Sequence, residues 1–198
     1  MIVFGITGGS GSGKTSVSKM LEKLGVHIID TDVIAHEIVE PNSECLNELV
    51  DYFGDSILND DKTLNRKKLA SIAFSDKQKT EALSNITHKY IKAEVVKDIN
   101  TTDAELVGID GAVIIGSNVE PLCEFIVSVI ADKQSRITRI KTRDNITDEQ
   151  AIQRINAQND DEFYKENSMY IIYNNGDIAQ LESDVVGLFN KIKGNSFE

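Results

Sequence analysis

Apolar positions along the chain switch between two periods, and the switches mark the elements. Ile2-Val3-Phe4-Gly5-Ile6-Thr7 is a short apolar run of strand type. After a glycine-rich stretch, Ser16-Val17-Ser18-Lys19-Met20-Leu21-Glu22-Lys23-Leu24 continues at helical spacing, with Gly25 as its stop. Val26 to Asp30 predicts a second strand. Thr31 to Val39 predicts a turn entering a helix that ends before Pro41, because proline disfavours helical backbone in the residue ahead of it. From about 43 to 100 the period is helical with almost no strand signal, so this block is predicted to be an all-helical insertion. Within it, Ser75-Asp76-Lys77-Gln78 predicts a capping box opening a long helix, and Asp51 to Lys62 a polar, looped interruption. Rows such as Leu46, Leu49, Val50 and Phe53 are its predicted core.

Strand-type runs return at Glu105 to Asp110, Phe125 to Ile130 and Tyr170 to Tyr173. Strands apolar on both faces and separated by helices imply a parallel sheet covered on both sides. The charged segment Lys133 to Glu166, with a capping box at Thr147-Asp148-Glu149-Gln150, predicts a pair of helices protruding over the glycine-rich loop. A last helix is predicted from about Asp177 to Lys193. No internal repeat, low-complexity tract or flexible linker interrupts the pattern.

Composition narrows the class. A chain of 198 residues suits one domain, and 40% hydrophobic with 27% charged residues is near the soluble average. No apolar stretch approaches the length of a bilayer span, and the chain begins directly with a strand, which leaves no room for a secretion signal. A cytoplasmic location is expected. Cys45 and Cys123 are far apart and lack metal-ligand spacing, and three histidines (His27, His36, His88) assemble no zinc pattern. Both cysteines are expected to act as small buried hydrophobes. A net charge of −11 argues against a broad surface for nucleic acid or an anionic membrane.

The glycine-rich stretch carries the chemistry. Gly8-Gly9-Ser10-Gly11-Ser12-Gly13-Lys14-Thr15 fits G-x-x-x-x-G-K-[ST] at every fixed position, between a predicted strand and a predicted helix. Glycines let the backbone curl around a phosphate and aim amides inward, while the following helix starts with unpaired N–H groups and the positive end of its dipole. Gly11, Ser12, Gly13, Lys14, Thr15 and Ser16 are therefore the expected binding run for a nucleoside triphosphate. Lys14 would reach the β- and γ-phosphates and the Thr15 hydroxyl would ligate Mg²⁺. The loop alone reaches no further than nucleotide phosphate binding.

Other local patterns resemble those of the dephospho-coenzyme A kinase family of P-loop kinases, in order along nearly the whole chain. Asp30-Thr31-Asp32-Val33-Ile34-Ala35-His36, followed by Val39-Glu40-Pro41, is similar to its Asp-x-Asp-x-Ile-Ala-(Arg/His) signature. Leu64-Asn65-Arg66-Lys67-Lys68-Leu69 with Ala73-Phe74, and Leu83 to His88, resemble its following segments. Arg139 to Asp144 with Ala151, Arg154 and Gln158 resembles its lid, and Tyr170 to Gly176 its closing strand and Asn-x-Gly turn. The chain departs from the family at Lys89, where a proline is usual, and at Ala112 to Gly116, where a Pro-Leu-Leu-x-Glu-like run is usual. The resemblance implies an α/β, P-loop kinase-type three-layer fold in a single domain 1–198, with the insertion about 43–100 on the acceptor side and the segment about 133–166 as a lid. It also implies ATP and Mg²⁺ as cofactors, and phosphorylation of the ribose 3′-hydroxyl of dephospho-coenzyme A to give coenzyme A and ADP.

Roles follow for single residues. Asp30 and Asp32, as i and i+2 at a strand end, would point to one side beside the phosphate loop. Asp32 is the expected base for the acceptor hydroxyl. Asp30 either supports it or the Mg²⁺ water shell, or caps the next helix. Asp110 ends a strand and is a candidate magnesium carboxylate or a plain turn residue. Arg139 and Arg143 are candidates for phosphate oxygens under a closing lid, against a solvated helix paired with Asp144 and Asp148; Arg136 is assigned no role. Asn174 is expected below the adenine ring, or simply in a good turn. Arg66 and His88 are expected to face the acceptor. Another small-metabolite kinase on the same scaffold, or a nucleotide-binding module that does not turn over, are the competing readings.

Overall fold

β1 (Ile2–Thr7) is central in a five-stranded sheet, and the other strands are β2 (His27–Asp30), β3 (Leu106–Asp110), β4 (Phe125–Ile130) and β5 (Tyr170–Tyr173). The computed structural model describes residues 1–194. The strands lie in the order β2-β3-β1-β4-β5, with β1 parallel to both β3 and β4, and β4 parallel to β5. All five residues of β3 and five of six in β4 are buried, as expected of strands covered on both faces. Alternation along β1 sends Phe4 and Ile6 to one face, where they join Val17, Leu21, Leu181, Val185 and Leu188 in the main core.

The chain divides into two compact units, residues 1–29 with 102–198 and residues 30–101. The first carries the sheet with α1 (Lys14–Lys23), α6 (Lys133–Asp144), α7 (Asp148–Asn156), α8 (Asp161–Glu166) and α9 (Ile178–Gly194). The second holds α2 (Thr31–Glu37), α3 (Glu44–Phe53), α4 (Arg66–Ala73) and α5 (Lys77–Thr101). This unit starts at Asp30, so it takes in α2 ahead of the helical block read from about 43.

Several local expectations change. The segment 133–166 forms three helices, not a pair: α6 and α7 pack on each other through Ile137, Ile140, Ala151 and Ile155, whereas α8 packs on β4. The Thr147 capping box forms in full, with Gln150 returning its side chain to the Thr147 amide at 3.0 Å. The one expected at Ser75 does not. The Asp76 carboxylate accepts from the Gln78 amide at 2.7 Å, and the Ser75 hydroxyl turns back to the Ile72 carbonyl. A carboxylate one residue nearer the helix is the stronger acceptor for its dipole, and it takes the cap. The interruption expected from Asp51 begins only at Gly54. It contains a single 3-10 turn with a fully buried Ile57, and an isolated bridge pairs Leu58 with Leu64. In α3 the buried row is Cys45, Leu46 and Leu49, while Val50 and Phe53 are only half-buried.

At Lys89, the family's usual proline is absent and α5 runs unbroken. Lys89 Nζ and the Tyr90 hydroxyl both donate to Glu48 Oε2 at 2.7 Å, tying α5 to α3. Among the described residues no helix is long and apolar enough to cross a membrane.

Candidate active site

β1 ends at Thr7 and α1 begins at Lys14, so residues 8–13 must reverse direction within one short loop. Gly13 does this as the N-cap of α1, with φ of 96° and no side-chain cap. A Cβ there would meet φ strain and run into the Asn174 amide. The first amides of α1 thus begin the helix without a side chain of their own to satisfy them, which is the geometry of an anion site. Thr15 and Ser16 are exposed at this end. Ser12 is buried, and its Oγ has no hydrogen-bond partner among the described residues.

The opposite side of the loop is held by side chains. Arg139 Nη1 donates to the carbonyls of Gly11 and Ser12, both at 3.2 Å, and its Nη2 to the Asn174 carbonyl at 2.9 Å. Asn174 Nδ2 donates to the Ser12 carbonyl at 2.8 Å. The guanidinium of Arg139 and the amide of Asn174 therefore grip main-chain oxygens of the loop. Lys14 forms an ion pair with Asp110, which ends β3 and is 3% exposed.

Arg143 is placed elsewhere. It is exposed, and donates to both oxygens of Asp144 at 2.7 and 2.9 Å, with Arg154 on the same carboxylate. Hydrogen bonding from Arg143 chiefly, with the charge of both arginines, holds the Asp144 carboxyl at about 2. Lys141 pairs with Asp148. The ion pairing that charge on an exposed helix usually finds is thus present at the α6–α7 junction.

The remaining candidates belong to the helical unit. Asp30 caps α2: its Oδ1 accepts from the Asp32 amide at 2.8 Å and the Val33 amide at 3.1 Å. The expectation that Asp30 and Asp32 share a side as alternating strand residues is overturned, because the helix begins at Thr31 and successive i, i+2 positions on a helix diverge. Asp32 is exposed in the first turn of α2, and His36 Nδ1 lies 2.7 Å from its carbonyl oxygen. Arg66, the first residue of α4, and His88 of α5 both line one cavity of about 290 Å³ walled by Leu49, Leu69, Leu83 and Ile91. Thr87 adds a hydroxyl to the same lining, and a few polar groups on an apolar wall is the common make-up of a small-molecule site.

Arg136, to which the sequence context assigns no role, is 5% exposed and its Nε donates to the Ser10 carbonyl at 2.9 Å. Gln158 Oε1 accepts from the Ser10 amide at 2.7 Å. The usable signal was position: Arg136 lies four residues before the fully buried Ile140, on the inward row of α6.

A parallel sheet with a phosphate-gripping loop between β1 and α1, and a lysine and carboxylate at its rim, defines a P-loop kinase. The sequence profile of the dephospho-CoA kinase family matches residues 2–180, so the chain belongs to that family. A relative named dephospho-CoA kinase in Lactobacillus johnsonii is 34% identical over 191 residues, covering 95% of this chain and 96% of its own. The solved dephospho-CoA kinase from Campylobacter jejuni is 26% identical, covers 98% of each chain, and superposes with a TM-score of 0.69. The crystal structure of TT1252 from Thermus thermophilus, 24% identical, shares the fold with a TM-score of 0.82, covering 96% of this chain and 97% of its own.

Proposed function

We propose that this chain transfers the γ-phosphoryl group of ATP to the ribose 3′-hydroxyl of dephospho-coenzyme A, giving coenzyme A and ADP. The observation that carries it is the uncapped N-terminus of α1 behind the loop 8–13, in a chain of this family. Gly11, Ser12, Gly13, Lys14, Thr15 and Ser16 hold the triphosphate through amides, one ammonium and hydroxyls. Arg139 and Asn174 keep the loop in shape and stand beside the nucleotide, and Arg143 reaches it once released from Asp144.

Asp32 accepts the proton of the attacking hydroxyl as the new P–O bond forms and the β–γ bridge bond breaks, with ADP leaving. Arg66 and His88 bind the acceptor from their shared cavity; an arginine fork suits its phosphate oxygens. The residues present also fit Mg²⁺, since the Thr15 hydroxyl and the Asp110 carboxylate are hard oxygen donors and this ion takes few protein ligands beside phosphate oxygens. Asp30, engaged as a helix cap, is the weaker second donor. A bound Mg²⁺ would supply neutralisation of phosphate charge.

Purified protein with Mg-ATP should release ADP only when dephospho-coenzyme A is present. ADP formation with other hydroxyl acceptors but not this one would replace the substrate, and ATP binding with no ADP under any acceptor would replace the enzyme by a binding module.

A further inference from the structure

Ser10, at the turn of the phosphate loop, has three polar groups engaged by two residues from far along the chain. Its amide donates to Gln158 Oε1 at 2.7 Å, its Oγ accepts from Gln158 Nε2 at 3.2 Å, and its carbonyl accepts from Arg136 Nε at 2.9 Å. Arg136 is itself steadied by Gln158 Oε1 at 3.3 Å from Nη2 and by Asp161 at 3.6 Å from Nη1. The contact is close enough that a Cβ on Gly9 would collide with the guanidinium.

A trans peptide is planar, with its C=O and N–H on opposite sides. Turning the Ser10 carbonyl toward Arg136 therefore turns the Gly11 amide away from it. The Ser12 carbonyl, held by Arg139 and Asn174, does the same for the Gly13 amide. The intervening Ser12 amide is used inside the loop, donating to the Gly9 carbonyl at 3.0 Å. The amides of Gly11 and Gly13 are thereby turned away from the side chains that hold the Ser10 and Ser12 carbonyls.

We propose that Arg136 and Gln158 are positioning residues: without touching the nucleotide, they lock the Ser10–Gly11 peptide plane and so hold the phosphate-binding amides in the bound geometry. This rests on the reading of the loop as a triphosphate site. Holding the amides in advance removes the ordering cost from binding, so the pair acts on affinity for the polyanion and leaves the chemical step largely alone.

The test uses the full chain as wild type, Arg136→Met, Arg136→Lys, Gln158→Leu and the Met/Leu double variant. Affinity for inorganic tripolyphosphate is measured by calorimetry, with KM for ATP, kcat and the thermal midpoint alongside. Arg136→Met and Gln158→Leu are each expected to weaken tripolyphosphate by about tenfold and raise KM for ATP similarly, with kcat within about twofold. The double variant should be little worse than either single one, since both act on one peptide plane. Lysine at 136, still a donor to the Ser10 carbonyl, should recover most of the loss. Tripolyphosphate affinity within twofold of wild type in the folded variants overturns the proposal, as does a loss that tracks the thermal midpoint without rescue by lysine. If Arg136→Met does not fold, Gln158→Leu decides alone. A wild type that binds tripolyphosphate but forms no acceptor-dependent ADP would sink the proposed reaction and leave this inference standing.

Discussion

Lys14 and Asp110, 96 positions apart in the chain, form an ion pair whose side chains are only 14% and 5% exposed. The cation expected to reach the triphosphate is thus seated against the carboxylate that ends β3. Removing one partner of such a pair leaves a desolvated charge, at a cost of about 3–5 kcal/mol. Asp110→Ala should lower unfolding free energy by about 3 kcal/mol in urea denaturation. An unchanged midpoint would mean that water, not Asp110, satisfies the ammonium.

Asp32→Asn should lower kcat by about two to four orders of magnitude while ATP affinity stays near wild type, because a general base contributes about that much to the proton-transfer step and the change removes no donor to the triphosphate. Steady-state turnover and calorimetric ATP binding check it. Normal turnover would remove the base assignment.

Asp144 should titrate at about 2 in the folded chain, against about 3.9 in an unfolded one. A lowered carboxyl contributes stability that is fully present above the unfolded value and is lost as pH falls through the folded one, so the window is about pH 4 to 2. Carboxyl-carbon NMR should show that low midpoint, moving up in Arg143→Gln. A midpoint near 4 in the wild type would show that the arginine contacts are not kept in solution.

The two thiols should resist alkylation. Burial pushes Cys123 up to about 12 and Cys45 up to about 11, with Glu120 and Glu48 adding to the effect. At pH 8 only about one in ten thousand Cys123 groups, and about one in a thousand Cys45 groups, is the reactive thiolate. A folded sample should therefore react with a disulfide reagent far more slowly than a urea-unfolded one, and equal rates would contradict the burial. The sign for stability is the reverse of that for Asp144. The contribution is intact below about pH 8.5 and fades as pH rises toward 11 and 12.

Much of this was legible from local pattern. Strand, loop and helix at the N-terminus, the apolar runs of β3, β4 and β5 and the Thr147 box need only neighbours in sequence, and they formed where spacing put them. Illegible were choices among equivalent local partners. Ser75 and Asp76 both suit a helix cap, and charge strength chose Asp76. Asp30 and Asp32 read as a strand-end pair until the helix started between them, leaving one as cap and one exposed. Three arginines in a row on α6 look alike in a list of letters. In space Arg136 is buried under Ser10, Arg139 holds loop carbonyls, and Arg143 is exposed with Asp144.

By itself, then, the sequence determined the phosphate loop, the parallel sheet and the kinase family, because a glycine's missing Cβ, an apolar period and a lysine after the last loop glycine act within a few residues. Tertiary structure alone decided that Asp110 takes Lys14, that Arg66 and His88 share one cavity, and that Arg136 and Gln158 meet Ser10. Those partners are separated by up to 148 positions, and which donors reach which carbonyls depends on how α6 and the chain after α7 lie on the loop, a matter of packing that no local period encodes.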